Sequence, residues 1–263
     1  MKREMSVAGA FYPAESQEIE RYINHFTNVY DQNFELPKLK TRAVIVPHAG
    51  YIYSGFSANV AYRLLSQSEI KNLVIIGPSH KVRFYGASLC SFESYETPFG
   101  ELATASSLSV ELTSKFNIQC VKEAHGEHST EVQFPFIKHY IPDVNILEIV
   151  YGGINPEEIT KIIDYVLLQE DVGVVISTDL SHFYSLEEAN ELDAICVNAI
   201  ADLDIQALHQ GCEACGIIGV EAMMLSAKRK GLHVELLDYR TSADASGDKS
   251  RVVGYLSACF TGF

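Results

Sequence analysis

VGVVISTDLSH, residues 172–182, opens with an uncharged, largely β-branched run that gives way within five residues to hydroxyl, carboxylate and imidazole side chains. A run that is apolar at successive positions, rather than at alternate ones, suits a strand covered on both faces. AVIVPHAG (43–50) and NLVIIGPSH (72–80) repeat the pattern, each ending at a histidine. Further strand-like runs are GASLCSF (86–92), NILEIV (145–150), HVELLDY (233–239) and RVVGYLSACF (251–260). Between them, 16–28, 55–66, 105–116, 130–140, 156–169, 185–201 and 215–230 carry helical periodicity, several opening with Ser, Thr or Asn-Pro. Strands alternating with helices imply crossover connections. The expected fold class is α/β: one domain over residues 1–263, with a central, largely parallel or mixed sheet, helices on both faces, and the late strands as candidates for an antiparallel edge.

The chain has 263 residues, 47% of them hydrophobic, and a formal net charge of −14. This length supports a single core, and the composition excludes disorder and coiled coil. With no Lys/Arg cluster, the acidic balance argues against nucleic acid or an anionic membrane as partner. MKREMSVAGAFYPAES (1–16) lacks the apolar run of a secretory signal. The expected location is therefore the cytoplasm, where the six cysteines should be reduced.

In an open α/β sheet, ligands bind beyond the carboxyl ends of the strands. His48, His80, Asp179 and His182 all follow strand-like runs directly. Imidazoles gathered at one sheet end can hold a metal or move protons near neutral pH. Pro47 and Pro78 fix the backbone beside them, as a preorganised site needs. Any single histidine here can equally be satisfied by loop backbone.

GCEACG (211–216) runs into a helix starting near Cys215. A thiol at a helix N-terminus ionises more readily, which favours metal binding or redox chemistry; packing of two small residues is the plain alternative. In AHGEHSTEVQFPFIKHY (124–140), Glu127 and His128 precede an expected helix cap at Ser129, either as part of a site or as a polar loop. Asp244 and Asp248 read as turn residues.

In order along the chain, VAGAFYPA (7–14), VPHAGYIYSG (46–55), IIGPSH (75–80), ETPFGEL (96–102), EHSTEVQFPF (127–136), ISTDLSHF (176–183), EACG (213–216) and TSADASGDKSRVVGY (241–255) resemble the MEMO family. That family is described as component B of a system that includes an AMMECR1-like protein and a radical-SAM protein. Its fold is similar to that of the class III extradiol ring-cleaving dioxygenases. The resemblance implies a mononuclear metal, iron first with zinc or copper as alternatives, held by His48, His80 and Cys215. It further implies His182 as the proton-transfer group, Asp179 as a residue that orients a histidine, and Tyr51, Glu127 and His128 in the pocket wall. The chain departs from the family after the cysteine, where CGIIGV (215–220) replaces the usual Gly-Pro pair. The implied activities are an iron oxidoreductase of dioxygenase-like ancestry acting on a small molecule, a non-catalytic metal-handling or peptide- or partner-binding protein, and a zinc hydrolase. The AMMECR1-like and radical-SAM proteins are the implied partners.

Overall fold

The computed structural model describes residues 1–263. Its strands are β1 (Ala43–Val46), β2 (Asn72–Pro78), β3 (Ala87–Ser88), β4 (Ser94–Thr97), β5 (Gly100–Ala103), β6 (Asn145–Tyr151), β7 (Val172–Ser177), β8 (His182–Tyr184), β9 (His233–Thr241) and β10 (Val252–Thr261). The helices are α1 (Ser16–Asn33), α2 (Tyr51–Leu65), α3 (Ser106–Phe116), α4 (His128–Glu131), α5 (Phe134–Tyr140), α6 (Pro156–Val166), α7 (Leu186–Ala201), α8 (Ile205–Leu208), α9 (Ile217–Lys230) and α10 (Ala243–Ser246).

The main sheet runs β3-β6-β2-β7-β1-β10-β8, with β9 also paired to β10. The four strands from β6 to β1 are parallel; β3 joins β6, and β10 joins β1, antiparallel. The sheet is therefore mixed, with a parallel centre and antiparallel flanks. β7 lies between β2 and β1. Three neighbouring strands thus deliver His80, the Asp179–His182 turn and His48 to one end of the sheet.

Both faces of the centre are buried, which explains the unbroken apolar runs. Ala43, Ile45, Val74, Ile76, Val174 and Ile176 pack on one side with α3, α6, α7 and α9. Val44, Val46, Leu73, Ile75 and Val175 pack on the other with α1, α2 and α5. Burying each such side chain contributes roughly 1.5–3 kcal/mol. Helix starts follow their expected chemistry: the Asn155 side chain accepts the Glu157 N–H, and Ser185 forms a capping box with Glu188.

Several expectations change. GASLCSF yields only the two-residue β3, and a hairpin of β4 and β5 follows it. The single helix expected over 130–140 is two, because Pro135, which has no N–H to donate, sits in the first turn of α5. The cysteines are not all thiols. Cys90 is bonded to Cys120 and Cys196 to Cys212, leaving Cys215 and Cys259 free. The fold brings each pair to a Cα separation of 4.7 Å, within bonding geometry. Cys212 is therefore no redox partner of Cys215, and the reading of 212–215 as a dithiol motif falls. No helix is long and apolar enough to cross a membrane.

Two outcomes check this arrangement. A Cβ on Gly77 would lie 2.7 Å from Ser129 Oγ and 2.9 Å from Thr130 Cγ2. Gly77→Ala should therefore cost about 1–3 kcal/mol in chemical denaturation, because α4 must move off β2. Thiol titration of the denatured protein should give two free thiols before reduction, Cys215 and Cys259, and six after it.

Candidate metal centre

His48 follows Pro47 at the end of β1, His80 follows the end of β2, and His128 opens α4. Ring-centroid distances are 5.3 Å for His48–His80, 5.4 Å for His48–His128 and 4.6 Å for His80–His128. One ring nitrogen from each lies within 4.8 Å of the other two. His48 is buried, His128 partly so, and His80 is exposed, so the group sits at the sheet end with one side open.

Hydrogen bonds fix which nitrogen each ring presents. Ser177 Oγ donates to the Ser129 carbonyl at 2.5 Å and accepts from Gln133 Nε2 at 2.9 Å. Its one hydrogen is thus committed, so the contact to His48 Nδ1 at 2.9 Å has the imidazole as donor. The Gln133 orientation is itself set, since its Oε1 accepts from Tyr62 Oη and its Nε2 donates to the Pro47 carbonyl. His80 Nδ1 and His128 Nδ1 both reach Glu127 Oε1, at 3.2 and 2.7 Å. His182 Nδ1 donates to the Leu180 carbonyl at 2.8 Å. In all four rings Nδ1 is thus the nitrogen engaged by these partners, the arrangement in which Nε2 can serve as a metal ligand or proton acceptor.

Glu127 is buried, with its carboxylate against the His80 and His128 rings. Desolvation opposes its charge, but hydrogen bonds from His128 and His80 hold its carboxyl well below the usual range. Asp179 is also placed by main-chain contact: Oδ1 accepts the His48 N–H at 2.7 Å, while Oδ2 stands 4.0 Å from His48 Nε2. Burial raises the Asp179 carboxyl above its ordinary value. Cys215 Sγ lies 3.3 Å from His48 Nε2 and accepts the Asp179 N–H. The readily ionised thiol expected at a helix start is not found. Burial, and then Asp179, push the Cys215 thiol up to about 12, outweighing the N–H groups of Asp179 and Gly216. The Tyr51 hydroxyl points into the core, where it donates to the Val132 carbonyl.

Cavities lie on two sides of the centre. A groove of about 910 Å³ is lined by Phe11, Arg21, Tyr22, His25, Ile52 and Tyr53, among others. Its link to the centre is the Phe11 ring, stacked on His128 at 4.5 Å. A smaller cavity of about 410 Å³ is lined by Ser79, Arg83, Phe84, Tyr151 and Cys215. Of the eight side chains named from the sequence, His48, His80, His128, Cys215 and Asp179 meet at this end of the sheet. Glu127 lies beneath them, and His182 is on the next turn. Ser177 and Gln133 escaped notice, because hydroxyl and amide residues inside apolar stretches carry no distinctive spacing.

Three histidines converging at the carboxyl end of a mixed α/β sheet form a group that could hold a metal ion, in an architecture consistent with the class III extradiol dioxygenase-like fold. Comparison with known proteins gives the family. Residues 3–259 match the family model described as Memo-like protein. The chain is 32% identical to a MEMO1 family protein of Aquifex aeolicus, with 98% of each chain covered. It is 33% identical to one of Archaeoglobus fulgidus (98% and 99% covered) and 31% identical to one of Thermoplasma volcanium (98% and 97%). The chain belongs to the MEMO family.

Burial, with His128 and His80 nearby, holds the His48 imidazole well below its ordinary value of 6.5. Unfolded His48 gains a proton below about pH 6.5 while folded His48 does not, so metal-free stability should fall with acidity by up to about 1.4 kcal/mol per pH unit. Denaturation of wild type and His48→Gln between pH 7 and 5 checks this, since the variant should lose less.

Proposed function

We propose that this MEMO-family protein is a mononuclear iron oxidoreductase of dioxygenase-like ancestry, acting on a small molecule. His48, His80 and His128 hold the ion, and Cys215 stands beside His48. The observation that carries this reading is the convergence of the three rings: one nitrogen of each lies within 4.8 Å of the other two, while Ser177 and Glu127 engage their Nδ1 atoms and fix their orientation. Cys215 lies outside the group whose donor atoms are all within 4.8 Å, which favours His128 as the third ligand over the cysteine implied by the family resemblance. When bound, iron(II) supplies open positions for substrate and O2 and the means of electron transfer.

The protein residues have separate tasks. Glu127 keeps two imidazoles oriented. His182, its Nδ1 tied to the Leu180 carbonyl, presents Nε2 to take a proton from a substrate hydroxyl. The Phe11 ring shields one face of His128 from water. The substrate class and the AMMECR1-like and radical-SAM partners follow from the family resemblance, and co-purification tests the partners.

A second reading, a zinc hydrolase, draws on the same ligand set, because three histidines with an open fourth position also suit zinc. Metal analysis separates the two. Protein purified without air should carry about one equivalent of iron, and catechol-type substrates should drive O2 uptake. Zinc with ester or amide cleavage would favour the hydrolase. Less than about one-tenth of an equivalent after loading with iron, zinc and copper would overturn both. His48→Ala should lose the metal while His182→Ala keeps it. Retention in His128→Ala with loss in Cys215→Ser would replace the three-histidine set by His48, His80 and Cys215.

A further inference from the structure

α4 is a single turn with His128 as its first residue and Glu131 as its last. Glu131 is fully buried, and its carboxylate is saturated by one short segment near the start of the chain. Oε1 accepts the Ser6 and Val7 N–H groups at 2.8 Å each and Tyr12 Oη at 2.9 Å. Oε2 accepts the Ser6 N–H at 2.9 Å, Ser6 Oγ at 2.5 Å and Arg3 Nη1 at 2.6 Å. Arg3, itself buried, also lies 3.6 Å from Glu148. The segment so held doubles back on itself, with the Ala10 and Phe11 N–H groups both donating to the Val7 carbonyl. This turn delivers Phe11 to two places at once. Its carbonyl accepts the Tyr51 N–H at 2.8 Å, in the turn that follows His48, and its ring stacks on His128 at an interplanar angle of 26°.

We propose that Glu131 and Phe11 are positioning residues for the metal centre. Glu131 locks residues 3–12 to the helix that carries His128, and Phe11 fixes the plane of the His128 ring beside His48 and His80. The inference rests on the three-histidine reading. It adds that the third imidazole is held in place by a distant segment and not by Glu127 alone. Glu127 fixes one nitrogen of the His128 ring, and a single hydrogen bond leaves the ring free to swing about it. The stacked Phe11 removes that freedom.

The test uses Phe11→Leu, Phe11→Tyr, Glu131→Gln and His128→Ala in the full chain. In the metal-free protein, the His128 ring-proton resonances should shift in Phe11→Leu and Glu131→Gln and return to the wild-type position in Phe11→Tyr. Cobalt(II) titration, read by visible absorption, should show affinity about tenfold weaker in the first two and restored in Phe11→Tyr. Unmoved His128 resonances in Phe11→Leu would overturn the proposal. So would wild-type cobalt affinity in Phe11→Leu when His128→Ala binds weakly. Wild-type cobalt affinity in His128→Ala would overturn the three-histidine reading instead, and the resonances alone would then decide the positioning role. If Glu131→Gln does not fold, the Phe11 pair decides.

Discussion

The site depends on the Glu127 carboxylate. It accepts the main-chain N–H groups of His80, Lys81, His128 and Ser129 as well as the Nδ1–H of His80 and His128. One side chain thereby joins the turn after β2 to the start of α4 and sets two ring orientations. Removing it would leave several buried donors without partners, each costing on the order of 1–3 kcal/mol. Burial makes such a charge expensive, and only this density of donors keeps it ionised.

A second chain of contacts does for His48 what Glu127 does for its neighbours, without a charge. Tyr62 donates to Gln133, Gln133 to Ser177, and Ser177 to the Ser129 carbonyl, so every hydrogen has one direction in which to point. His48 can only donate. Both chains end at Ser129 of α4 and Gln133 just beyond it, among further buried polar side chains at Thr130 and Glu131. Polar networks of this kind rigidify a site when every member is satisfied.

Much of this was legible in the sequence, and the rest was hidden for physical reasons. Three unbroken β-branched runs ending in His48, His80 and the Asp179–His182 turn are a local pattern, and the rule that ligands gather at strand ends made it meaningful. That β7 would lie between β2 and β1 is a property of strand order, which no single segment encodes. His128 and Glu127 were visible as a pair, yet their depth beneath the surface depends on Gly77 letting α4 approach β2. The disulfides are invisible in the sequence because the pairing of Cys90 with Cys120 and Cys196 with Cys212 depends on tertiary proximity. The thiol of Cys215 departs from its expected behaviour because burial outweighs the helix end, and burial is set by packing.

The residues that meet at the sheet end come from positions 11, 48, 80, 128, 179 and 215, so nearly the whole chain must be threaded before they are neighbours. Closing loops of that length is slow, and no pair of the three histidines is close enough in sequence to chelate an ion in the extended chain. The three-histidine group therefore forms only as the sheet assembles. An ion bound as proposed would enter a cup already built.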